Sequence, residues 1–175
     1  MQQEHSDKSR EILAKLSVFM NEHIYPNEAN YAAQLHDAKD RYAPLPLMDE
    51  LKVKAKAASL WNLFIPPSHA AFSDHGGLSN YDYAPIAEMM GRVIWSSEVF
   101  NCNAPDTGNM EVFMNYATQA QQDEWLTPLL NGSIRSCYAM TEPQVASSDA
   151  TNIQMRIERD GGEWVLNGRK WFITG

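Results

Sequence analysis

Two short strings hold most of the chemistry open to this chain. The first runs Tyr138-Ala139-Met140-Thr141-Glu142-Pro143-Gln144-Val145-Ala146-Ser147-Ser148-Asp149, and the second is Lys170-Trp171-Phe172-Ile173-Thr174-Gly175. A hydroxyl-rich loop after a short apolar run can offer small hydrogen-bond donors to the edge of a planar ring. An aromatic residue followed two positions later by threonine can cover such a ring and hydrogen-bond it. Taken alone, the first string also fits an ordinary polar connection with local Ser and Thr turns around Glu142-Pro143. Trp171 and Phe172 equally fit an aromatic pair in a strand that faces a core.

Other chemistries lack their residues. The chain has no Gly-x-Gly-x-x-Gly, no Walker loop, no His-Glu-x-x-His and no Gly-x-Ser-x-Gly, so a nucleotide cofactor would have to be held by loops of a different kind. His69, Asp74 and His75 share one loop rich in Pro, Ser and Gly. Such groups are more often solvated than ligating, and no metal site is expected. Glu88, Glu98 and Glu111 read as surface or capping carboxylates, Lys52, Lys54 and Lys56 as a solvated helix face, and the methionines as core filler.

A net charge of −8 disfavours nucleic acid and anionic membrane surfaces as partners. An anionic ligand would need a local basic patch. Cys102 and Cys137 lack metal-ligand spacing and read as buried, reduced thiols. No apolar run reaches the length of about 18 residues that a membrane-spanning helix needs. The opening Met1-Gln2-Gln3-Glu4-His5-Ser6-Asp7 lacks the basic start and apolar stretch of a signal peptide, which points to the cytoplasm.

The elements that must position the two strings are mostly helical. Ile12, Leu16, Phe19, Met20 and Ile24 recur at helical spacing, which predicts a helix over 6–25, with Ser6 as cap and Pro26 beyond its end. Further helices are expected over 27–42, 47–59, 80–95 and 110–116. One more starts at Thr118, whose Thr-x-x-Gln pattern with Gln121 is a capping box. Trp125, Leu126, Leu129 and Leu130 should form its buried stripe, Pro128 should kink it, and Asn131-Gly132 should end it. The period then shortens to two. Strands are expected over 134–140, around 153–158, over 164–166 and over 170–174, with turns at Asp160-Gly161-Gly162 and Asn167-Gly168. This divides the chain into a helical domain over 1–132 and the start of a β domain over 133–175. The face carrying Trp164 and Leu166 would need several more strands to cover it, so the chain is expected to be a fragment or one part of a larger assembly.

Tyr-Ala-Met-Thr-Glu-Pro followed by Ser-Ser-Asp is similar to a signature of the acyl-CoA dehydrogenases. Asn167-Gly168-Arg169-Lys170-Trp171-Phe172-Ile173-Thr174-Gly175 resembles that family's second flavin-contacting segment. The resemblance extends upstream, in order, through the stretch from Gly77 to Arg92 and that from Gln121 to Gly132. Ala104-Pro105-Asp106-Thr107-Gly108-Asn109-Met110-Glu111 and Val145-Ala146-Ser147-Ser148-Asp149 look most like the subfamily of acyl-CoA dehydrogenase family members 10 and 11.

The resemblance implies a mainly α fold leading into a β domain, FAD as cofactor, acyl-CoA as substrate and a homo-oligomer. It implies that the backbone of Tyr138 and Met140 and the hydroxyl of Thr141 meet the flavin. Ser147 and Ser148 would lie near the flavin and its pyrophosphate, with Ser148 also near the acyl-CoA. Phe172 would stand where the family usually has tryptophan beside the ring, and Thr174 would bond it. Trp171 sits one position early, so either aromatic could stack. The loop after Glu142-Pro143 departs from the family pattern, being one residue longer and without glycine. Glu142 is not the proton-abstracting base, which the family takes from a later helical domain, so no catalytic residue is expected here. Turnover by this chain alone is not expected. Two other readings are a non-catalytic helical interaction module that binds through an open β edge, and part of a related flavin oxidase.

Overall fold

A computed structural model describes residues 4–40 and 42–173. Its helices are α1 (Asp7–Phe19), α2 (Glu28–Asp37), α3 (Pro46–Ala57), α4 (Asn80–Met90), α5 (Ser96–Val99), α6 (Asp106–Tyr116), α7 (Gln119–Gln121) and α8 (Thr127–Leu130). Two strands follow, β1 (Arg156–Asp160) and β2 (Glu163–Asn167). The expected mainly α fold with a small C-terminal β part is what the chain adopts.

The caps form where the sequence locates them. The Ser6 hydroxyl accepts from the Ser9 amide at the start of α1, and Thr118 and Gln121 close the full capping box. Beyond α1 the chain widens into a π-helical turn over Met20–Ile24. A second π-helical turn, Gln122–Leu126, joins α7 to α8. Pro128 lacks the N–H that would bond the Glu124 carbonyl, which answers the expected kink. The wider turn leaves Trp125 48% exposed, whereas Leu126 and Leu129 are buried, so Trp125 does not belong to the buried stripe.

Several boundaries differ from expectation. Helix α2 ends at Asp37, five residues short of the predicted 42. Helix α4 stops at Met90 with Gly91 as its cap, and tight turns then carry the buried Val93 and Trp95 inward before α5.

One apolar core joins α1, α3, α4 and α5 through Leu16, Met20, Leu51, Ile86, Met90 and Phe100. A second gathers Phe64, Ile65, Met110, Met114, Leu126 and Leu129 under α6 and α8. A polar bridge seals α1 to α4, with the Ser9 hydroxyl donating to the Asp82 carbonyl at 2.6 Å and the Ser6 amide to the Asp82 carboxylate at 2.8 Å.

The end of α8 is fixed by side chains from the preceding loops. Trp61 Nε1 and Asn62 Nδ2 donate to the Leu130 carbonyl at 2.7 and 2.9 Å. Asn101 Nδ2 donates to Asn62 Oδ1 at 2.7 Å and to the Leu129 carbonyl at 3.0 Å. Asn62 and Asn101 both take left-handed backbone angles, φ 55° and 54°, a region that asparagine tolerates better than most residues. Gly132 follows at φ +67°, and a Cβ there would lie 2.7 Å from Trp61 Cζ2. Handedness and space together require glycine at the expected helix stop.

The β part is a single antiparallel hairpin in which Ile157 faces Leu166 and Arg159 faces Trp164. Its turn is the expected Gly161-Gly162. Asn167-Gly168 makes no hairpin turn. Gly168 instead lies against Met155, where a Cβ would sit 2.7 Å from Met155 Cγ, and the chain runs on past it. No regular strand forms over 134–140 or over the described part of 170–174.

Candidate functional site

The segment leading into the first string is held by helix α6. The Asp106 carboxylate, 1% exposed, accepts from Arg135 Nε at 2.6 Å, from the Ser136 amide at 2.7 Å and from the Ser136 hydroxyl at 2.6 Å. One turn later Asn109 Nδ2 donates to Ser136 Oγ at 2.8 Å and to the Cys137 carbonyl at 3.2 Å. These bonds take polar groups that a strand would give to a neighbouring strand, which is why the apolar alternation over 134–140 yields none.

Arg135 also pairs with Glu98 at 2.7 Å, and Glu98 with Lys52 at 2.8 Å. Burial would lower the Arg135 pKa, but the carboxylates of Glu98 and Asp106 hold it raised. Lys52 and Glu98 are therefore partners in a half-buried network, not the surface charges expected. Lys56 likewise donates to the Asn131 carbonyl and lies 4.3 Å over the Trp61 ring.

The two strings meet at Glu142. Its buried carboxylate accepts from the Gln154 and Met155 amides at 2.8 and 2.9 Å and from Lys170 Nζ at 2.9 Å. Lys170 Nζ also donates to the Met140 carbonyl at 2.8 Å, and the Trp171 amide donates to the Thr141 carbonyl at 3.1 Å. The Gln154 amide first, then Lys170, hold the Glu142 carboxyl below the ordinary glutamate value. An acid so held is a poor proton acceptor and a good fixed anchor.

A folded pKa below the unfolded one means that this stabilisation is complete above the unfolded value and is lost as pH falls through the folded value. Glu142→Gln should therefore be less stable than the wild type above pH 4.5, the ordinary value. The gap should close on acidification. Urea unfolding of both proteins across that range checks this, and a gap independent of pH would contradict it.

The residues that the resemblance singles out have distinct surroundings. Among the described residues, the hydroxyls of Thr141 and Ser148 have no protein partner; Thr141 is half-buried and Ser148 exposed. Ser147 is buried, and its hydroxyl accepts from the Glu142 amide at 2.6 Å and lies 3.2 Å from the Val145 carbonyl. It closes the loop from within. Asp149 caps the short turn Ala150–Asn152 by accepting from Thr151. Tyr138 is exposed, and its carbonyl accepts from the Met140 amide at 3.1 Å. Phe172 is 81% exposed against 44% for Trp171, with ring centroids 4.7 Å apart. Phe172 has φ 47°, a backbone region rare for an aromatic residue. Thr174 lies outside the described residues.

Sequence reasoning passed over Asp106, Asn109, Arg135 and Lys170, because each acts on a partner far away along the chain. Cys137 is exposed, contrary to expectation. Burial raises the Cys102 thiol to about 11, so that group stays protonated. Among the described residues no cluster of acidic, histidine or cysteine side chains could hold a metal, and no helix is long and apolar enough to cross a membrane.

Residues 6–133 match the N-terminal domain of acyl-CoA dehydrogenases and 137–175 match their middle domain. The chain belongs to the acyl-CoA dehydrogenase family. It is 50% identical over 173 residues to acyl-CoA dehydrogenase family member 11 of Gallus gallus, covering 97% of this chain and 21% of that protein. It is 49% identical to family member 10 of Mus musculus, covering 95% and 16%. A solved structure from Mycobacterium abscessus, assigned to the acyl-CoA dehydrogenases, superposes with a TM-score of 0.88 at 45% identity, covering 99% of this chain and 44% of that one. The chain thus spans between about a sixth and a fifth of the length of these curated relatives and under half of the solved one.

Proposed function

We propose that this chain supplies the acyl-pocket helices and one side of the FAD site of an acyl-CoA dehydrogenase. The observation that carries the reading is the clasp at Glu142, which joins the two strings into one surface. That surface suits a ring with flat apolar faces and a polar edge. Thr141 and Ser148 have hydroxyls without protein partners, and one aromatic of each string, Tyr138 and Phe172, is exposed.

Thr141 would hydrogen-bond the ring's polar edge, with the backbone of Tyr138 and Met140 alongside. The Met140 amide would have to leave or share its bond to the Tyr138 carbonyl. Phe172 would cover the ring and Thr174 would bond it. Ser148 would reach toward pyrophosphate and acyl-CoA. Ser147 would shape the loop that carries them. FAD, when bound, supplies the hydride acceptor for α,β-dehydrogenation of an acyl-CoA thioester. Donors fixed at the ring edge favour the charge that develops there.

An apolar cleft of about 400 Å³ supports the acyl part of the reading. Val112, Phe113, Trp125, Leu129 and Ile134 line it, and its wall ends at Cys137, next to Tyr138. Glu142, buried and hydrogen-bonded, is not the base, and the α proton would go to a carboxylate elsewhere in the enzyme. A homo-oligomer and a cytoplasmic location accompany this reading as proposals.

Residues 1–175 alone should quench FAD fluorescence yet give no acyl-CoA-dependent reduction of an artificial electron acceptor. Turnover by this segment would refute the assignment of the base, and unchanged FAD fluorescence would refute the flavin surface.

A further inference from the structure

We infer that Lys170 is a positioning residue for the flavin-facing surface, acting through Glu142 and Met140; this rests on the proposed FAD site. Lys170 Nζ, with its side chain 14% exposed, is shared between the Glu142 carboxylate at 2.9 Å and the Met140 carbonyl at 2.8 Å. Those two acceptors flank Thr141, the residue whose half-buried hydroxyl lacks a protein partner. Among the described residues, Lys170 is the one residue of the second string whose side chain hydrogen-bonds the first, through both of these contacts. The Trp171 amide makes the backbone link to the Thr141 carbonyl, one residue further on.

The ammonium therefore fixes the carbonyl before Thr141 and the carboxylate after it, while the neighbouring amide fixes the carbonyl of Thr141 itself. Three consecutive residues of the first string are held from the second. The same carboxylate carries the Gln154 and Met155 amides, so the clasp also ties in the segment that leads to β1. A charge-assisted bond on each side of one residue is a means of pre-setting its hydroxyl before a ligand arrives.

The clasp touches neither helical core, so its loss should act locally. In the chain with Lys170→Met, amide hydrogen exchange at Trp171, Gln154 and Met155 should speed up by about tenfold or more. Amides of α1 and α4 should exchange as in the wild type. FAD, followed by fluorescence quenching, should bind about tenfold more weakly to the Met variant. Lys170→Arg, which keeps the charge and can reach both acceptors, should recover most of both effects.

Unchanged exchange at Trp171, Gln154 and Met155 in the Met variant would overturn the proposal. So would equal FAD affinity in the Met variant and the wild type despite faster exchange, because the clasp would then be structural only. Accelerated exchange in the Met variant beside a wild-type chain that leaves FAD unquenched would overturn the flavin site itself and keep the clasp as a fold element.

Discussion

Asp106→Ala should lower the stability of this chain by about 3 kcal/mol, because it removes the buried partner of a cation and of a backbone amide together. The Asp106 carboxylate takes three of the four hydrogen bonds that tie Arg135 and Ser136 to α6, Asn109 supplying the fourth. Without it the Ser136 amide loses its acceptor, while Ser136 Oγ keeps Asn109. Loss of a fully buried ion-pair partner costs about 3–5 kcal/mol, but Arg135 is 39% exposed and retains Glu98, which puts the expected value at the lower end. Asp106→Asn keeps one acceptor and should cost about half as much, as a neutral hydrogen bond is worth less than a charged one. Urea unfolding monitored by tryptophan fluorescence gives both values. A loss under about 1 kcal/mol for Asp106→Ala, the level of an exposed pair, would show that the network holds nothing.

Asn101→Ala should cost about 3 kcal/mol, from two sources that can be separated. Its side chain serves the Leu129 carbonyl and Asn62 Oδ1, both in the buried junction at the end of α8, and orphaning such acceptors costs about 1–3 kcal/mol. Its left-handed backbone, φ 54°, adds about 1 kcal/mol once the residue is alanine. Asn101→Gly removes the bonds without that strain, so it should be less harmful than Ala by about 1 kcal/mol. Equal losses in the two variants would refute the backbone part. The Leu130 carbonyl keeps Trp61 and Asn62 as donors in both variants, so α8 should remain helical.

What the sequence made legible was local in origin. Thr118 and Gln121 form their capping box because both partners lie within one turn. Gly161-Gly162 turns the hairpin because nothing distant competes for it. Where distant residues compete, local signals fail. Asn167-Gly168 has the composition of a tight hairpin turn, yet Gly168 is used for close approach to Met155. The alternation over 134–140 reads as a strand, yet Asp106 and Asn109 take its polar groups. Lys52 and Glu98 look like solvated helix charges until the fold brings Arg135 between Glu98 and Asp106. The two strings were legible as motifs through their family likeness. The residues that join them, Glu142 and Lys170, gave no sign of their pairing, since 28 positions of chain separate them.

The central claim is that 138–149 and 170–174 act as one flavin-facing surface. Hydrogen exchange of this chain with and without saturating FAD tests it most directly. Protection should appear in both stretches together and leave α1 to α3 unchanged. Protection confined to one stretch, protection elsewhere only, or none at all would contradict it.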